Sequence, residues 1–408
     1  MMSEIVERFR AAEHIRVPDL WPDIEDRAAI GDPGSTAPIV MRKRGRRPWL
    51  LAATIFVALA VLVGALWEID GLGERESTIE PGDHPTGAPV ALRSIQRVRL
   101  PGIPQGLEVG AGAAWTMLGT SPPYVLARID TTTGVVRRLA IPGQVTPARA
   151  VVGGRVWVGT CVGVTSHLPC PLPMLLGIDS QTLQIRIRHR LTGDPNYAAA
   201  TEDALWLNVT AAKNGPEGRN RVLEIDPTTG QQRNSFPVSG GMLAVDGSSV
   251  WVTDLDARAV RHYDAVSGEH LGDVRAPLGD PCWLAAGEGT AWLSSCQLGE
   301  NSLIRIDPET GGVIARLSFR GNATLRVAGG YLWMAIRTRE TTSIEIRRVD
   351  LQTNQFTGPP FLVIKDPHPR QETLCLGCIG GPGSFLAVGA GAVWVTSFEQ
   401  EEVIRVGP

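Results

Sequence analysis

The chain has 408 residues, with 39 Lys and Arg against 42 Asp and Glu and a formal net charge of −3. That balance lacks the concentrated basic face that a nucleic-acid partner requires. Its 46 Gly and 30 Pro, with Trp (11) outnumbering Phe (8), point to many short strands joined by turns.

Residues 1–47 are too few for a domain. They read as a cytoplasmic tail, partly helical or disordered, in which SEIVERFRAAEHI places Ile5, Phe9 and Ala12 on one helical side. Phe9, Leu20, Trp21 and Ile24 are candidate anchors through which residues 1–40 would dock a cytoplasmic partner. Residues 48–67 are expected to form a transmembrane helix. From Trp49 to Trp67 the chain carries no charge, Asn, Gln or Pro, and 19 residues at ~1.5 Å each match the ~30 Å apolar layer of a bilayer. Arg42, Lys43, Arg44, Arg46 and Arg47 precede this run and Glu68, Asp70, Glu74 and Glu76 follow it, which puts the N-terminus inside and the rest outside the cytoplasm. A cleaved signal peptide fits less well, because the n-region would be far too long and no A-x-A-like site follows. Residues 68–90, rich in Gly and Pro, read as a flexible linker.

Residues 91–408 repeat. Seven segments join a short apolar run, a tight Gly- or Asp-containing turn, and an apolar run centred on Trp115, Trp157, Trp206, Trp251, Trp292, Trp333 or Trp394. Each is a hairpin. After each of the first six comes an Asp followed three residues later by Thr or Ser, as in ARIDTTTG, LEIDPTTG and IRIDPETG. The Asp can bond the turn's own N–H groups, and the next position, Gly134, Gly230, Gly268, Gly311 or Asn354, suits a left-handed backbone. Leu183 occupies that position in the second unit and predicts a turn of different shape.

The expected fold is therefore all-β: a seven-bladed β-propeller of four-stranded blades, with Trp filling the wedges between them. The seventh hairpin is followed only by EEVIRVGP, one strand short, while RSIQRVRLPG at Arg93 to Gly102 is one strand in surplus. The ends should meet in a 3+1 closure that hides an edge. The G-x-x-W hairpin and the R-I-D-P-x-T-G turn resemble the streptogramin-lyase-like and surface-layer (YVTN-type) propeller repeats, from Arg93 to the end. That resemblance implies the fold, and such propellers host many activities.

Tight turns share one face of such a ring, and the longer connections share the other, which is the expected binding face. His167, Asp254, Asp256 and His368 are the candidate binding residues there. All six Cys map to the same face. Cys282 and Cys296 flank one hairpin and are expected to pair, as are Cys161 and Cys170 around one long loop; Cys375 and Cys378 form a C-x-x-C that pairs internally, serves redox chemistry, or joins Cys161 and Cys170 around zinc. The lyase-like families hold a metal through acids after the hairpin Trp. Here only Asp254 occupies such a place, the others being Leu118, Thr160, Val209, Ser295, Ile336 and Ser397. No G-x-S-x-G, H-E-x-x-H or Walker-type loop occurs, and neither cofactor nor metal is expected. The leading expectation is a membrane-anchored extracytoplasmic module that binds a ligand or protein. The alternative is a lyase-like or hydrolytic enzyme with its site at the central pore.

Overall fold

The computed structural model describes residues 92, 94–163, 170–211, 220–275, 281–295, 300–337, 343–364, 386–398 and 400–407. The expected tail, membrane helix and linker therefore lie outside the described residues, as do His167, His368, Cys296, Cys375 and Cys378. Among the described residues no helix is long and apolar enough to cross a membrane.

The described strands form seven antiparallel sheets. Blades one to six occupy residues 104–141, 144–190, 193–238, 243–275, 281–320 and 322–364. Blade seven joins Leu386–Gly389, Ala392–Ser397 and Glu402–Gly407 to Ser94–Arg99 from the other end of the described chain. The closing pair runs from Ser94 opposite Gly407 to Arg99 opposite Glu402, so surplus and deficit cancel as expected. The first strand of every blade touches the first strand of the next, and that of blade seven touches that of blade one. These seven strands line the axis of a closed ring. In blade six the fourth strand is broken, Gln355–Phe356 and Phe361–Ile364 pairing separately with Ile344–Asp350.

The core is divided into seven wedges. Each apolar cluster unites side chains of two adjacent blades and contains one repeat Trp. Trp115, for example, packs with Val156, Val158, Leu176 and Ile178 of blade two. One sheet alone would leave both faces wet, so the hydrophobic term favours only the ring. The indole N–H groups of Trp115, Trp333 and Trp394 donate to the carbonyl five residues earlier, at the end of the first strand.

Directly across from the Trp, on the third strand, stands Arg128, Arg305, Arg348 or Arg405 in blades one, five, six and seven, each guanidinium within 5.8 Å of the ring centroid. Blade four uses His262, stacked on Trp251 at 3.8 Å. Arg128 and Arg305 continue into the next blade, donating to the carbonyls of Ser180 and Leu351. These carbonyls occupy the same place, one residue after the turn Asp. Blade two has Gly177 opposite its Trp, and there Arg155 from the Trp strand reaches the equivalent carbonyl of Pro227. The Arg of R-I-D is thus a strap from wedge to neighbouring turn.

The Asp turns are uniform. Asp130, Asp179, Asp226, Asp264, Asp307 and Asp350 each accept from two backbone N–H groups of their own turn. Leu183 corrects the expectation of a deviant turn. It takes φ +59°, in line with +71° at Gly134 and +56° at Asn354, and its N–H closes the same bond to Asp179. Its side chain is buried in the wedge between blades one and two, and that packing offsets the strain of a left-handed leucine.

Candidate functional site: the axial channel

At the position facing each Trp, the first strands carry Ala150, Ala199, Ala244, Ala285 and Ala387, but Glu108 in blade one and Arg326 in blade six. One residue earlier the repeat has leucine or alanine in six blades and Arg149 in blade two. The three departures meet at the axis. Arg326 Nη2 lies 3.2 Å from Glu108 Oε1, an ion pair between the two blades that flank the closing blade. Arg149 is buried, donates to the carbonyl of Thr146, and lies against Gly106, where a Cβ would collide with its guanidinium. Gly106 also has φ +68°. Register shifts fall immediately before Glu108 and Arg149. Bulges of this kind redirect the side chains that follow them.

Glu108 and Arg326 keep 26% and 31% of their side-chain surface exposed. Burial pushes the Glu108 carboxyl above its ordinary value, with Arg326 and Arg149 acting against it. Burial also draws Arg149 down to about 10, opposed by Glu108 and reinforced by Arg326. Among the described residues the cluster joins two guanidiniums to one carboxylate, and charged groups held in so partly desolvated a place cost free energy to bury unless they are matched by partners.

The loop-face residues divide. Asp254 is buried; its Oδ1 accepts from Ala257 N–H and its Oδ2 from Arg261. Although burial works the other way, those partners and Ser239 hold its carboxyl below the ordinary range. It therefore caps the Asp254–Arg261 connection, while Asp256 beside it is exposed. The structure brings neither to the axis. Cys161 and Cys170 form a disulfide as expected. Cys282 is disulfide-bonded, and its expected partner Cys296 lies outside the described residues. Among the described residues no group of three or more His, Cys, Asp and Glu is arranged to hold a metal.

The axial trio is absent from the sequence expectation. The signal was present: charged residues at three sites where the other blades repeat Leu-Ala-Val or a close variant. The three sites lie two or three residues from the tight-turn end of their strands. The cluster therefore lies nearer the tight-turn mouth than the long-loop face.

No protein-family model matches the chain, and no curated protein does. Solved structures do. BamB from Moraxella catarrhalis is 12% identical over 74% of this chain and 84% of its own, with a TM-score of 0.44. The computationally designed Ika8 protein is 12% identical over 76% of this chain and 97% of its own, with a TM-score of 0.48.

Proposed function

We propose that this chain is an extracytoplasmic binding module, anchored by its apolar segment at 49–67, that receives a polar or charged group of a ligand or protein partner at the axis of the ring. The observation that carries this reading is the convergence of Glu108, Arg149 and Arg326, the three charged exceptions to the repeat, on one axial point. Residues that matter only for wedge packing have no reason to be charged there. The Cys161–Cys170 disulfide supports an oxidising compartment, and the basic and acidic flanks of the apolar run support an inside tail. The likeness of the G-x-x-W and R-I-D-P-x-T-G segments to the streptogramin-lyase-like and YVTN-type repeats is consistent with a binding scaffold.

The test uses the full-length chain in mild detergent, with covalent capture of bound species. Wild type is expected to retain a species that the double variant Arg149→Leu, Arg326→Ala loses, with both forms melting as folded proteins. Equal capture by the two would refute the axis as the site.

A further inference from the structure

We infer that the outer edge of blades seven, one and two is a docking surface for anionic phospholipid headgroups. This goes beyond ligand binding at the axis, and its biological setting rests on the anchoring proposed above.

The outer strands of these three adjacent blades read SIQRVR, VRRLAI and IRIRHR. They contain no Asp or Glu, and their seven arginines, Arg97, Arg99, Arg137, Arg138, Arg186, Arg188 and Arg190, are all exposed. Among the described residues the only carboxylate within ion-pair distance of any of them is Glu402, which is buried and is shared by Arg97 and Arg99 at 3.0 and 3.5 Å. The outer strands of blades three, four and five carry only Arg233, Arg275, Arg316 and Arg320, and Arg233 is paired with Asp226 at 2.7 Å. The positive charge is thus gathered on one arc of the rim. The arc is continuous: Gln96 and Val98 lie against Gly134 of blade one, and Arg137 donates to the carbonyl of Gln181 in blade two.

The position of the arc selects the occupant. Ser94–Arg99, where the described chain begins its first strand, is itself the outer strand of blade seven. The first described strand therefore belongs to this rim. The sequence puts 26 residues between Trp67 and Ser94, and at no more than ~3.3–3.6 Å each that length of chain is enough for the arc to reach the bilayer. Four strands at ~4.8 Å spacing around a channel give a radius of roughly 20 Å. Blades on either side of blade one then fall back by roughly 7 Å from a plane touching it, within a Debye length of ~8–10 Å. All three outer strands feel the same charged surface, and guanidinium suits phosphodiester oxygens through paired hydrogen bonds.

The full-length chain would be reconstituted in nanodiscs of phosphatidylcholine alone or with phosphatidylglycerol, and its arginines modified with phenylglyoxal and read by mass spectrometry. The seven rim arginines are expected to react at least about fivefold more slowly in the anionic discs at low salt, and to recover in 0.5 M salt as screening takes over. Arg275, Arg316 and Arg320 should be unchanged. Equal rates in both discs, or equal protection of both groups, would overturn the inference, including in favour of an acidic protein partner. Co-elution with the neutral discs reports the anchor separately. Were the chain to leave both discs, salt-reversible sedimentation with anionic liposomes would still support the rim, and none would overturn it.

Discussion

Leu183→Gly isolates how the second Asp turn tolerates a leucine in the left-handed position. Leu183 sits at φ +59° with only 7% of its surface exposed, packed in the wedge that holds Trp115. Glycine at that position relieves about 1–2 kcal/mol of backbone strain. It also removes a buried leucine side chain, which costs about 2–5 kcal/mol including the cavity left behind. The balance is a loss of about 0–4 kcal/mol, centred near 2. The strain part is measurable alone at Gly311, which has φ +68° and where an added Cβ would meet only Val274 at an ordinary 3.7 Å. Gly311→Ala should cost about 1 kcal/mol. The assay is urea unfolding of the full-length chain followed by tryptophan fluorescence, comparing midpoints at constant slope. A Leu183→Gly protein more stable than wild type would refute the compensation.

Arg305→Leu removes a strap to Leu351 O and Asn354 together with the contact to Trp292, and should lower stability by about 1–3 kcal/mol in the same assay. Arg155→Ala should cost about as much as a strap loss even though Arg155 faces no Trp, because it replaces the missing strap of blade two. The carboxyls of Asp130, Asp179, Asp226, Asp264 and Asp307 are all held below their ordinary values by their turn N–H groups. Their stabilisation is present above the unfolded-state value near 4 and is lost as pH falls through the lower folded values. Thermal melts from pH 5 to pH 2 should therefore decline steeply, and less steeply in Asp226→Asn. Glu108 runs the other way: its raised carboxyl favours the protonated folded form, so its ionisation opposes stability as pH rises above about 4. Glu108→Gln should flatten that component, read as the difference between wild-type and variant melting temperatures across pH 4 to 7.

The ring was legible because its cause is local and repeated. Each Trp marks a strand buried on both faces, each D-x-x-T marks a turn bonded to its own backbone, and the closing strand follows from counting. The same regularity hid the functional residues. Glu108, Arg149 and Arg326 lie beside the conspicuous G-x-x-W signal, in positions where alanine and leucine say little, and their proximity depends on ring closure rather than on spacing. Leu183 looked like a broken turn because composition shows the missing glycine but not the wedge that holds its side chain. Asp254 resembled a pore acid by its place after Trp251, whereas its partners are Ala257 and Arg261 of the same blade and Ser239 in the connection just before it. The arginine-rich rim is visible as IRIRHR and VRRLAI, but it becomes one surface only when the N-terminal strand is placed beside blade one.

Native-state hydrogen exchange, resolved along the chain of the full-length protein, tests the closed ring most directly. Amides of residues 94–99 paired with Glu402–Gly407 should be protected to the same degree as those of residues 402–407, and both should open together. Exchange of residues 94–99 at free-chain rates, with residues 402–407 still protected, would contradict the closure from which the axial cluster and the basic rim both follow.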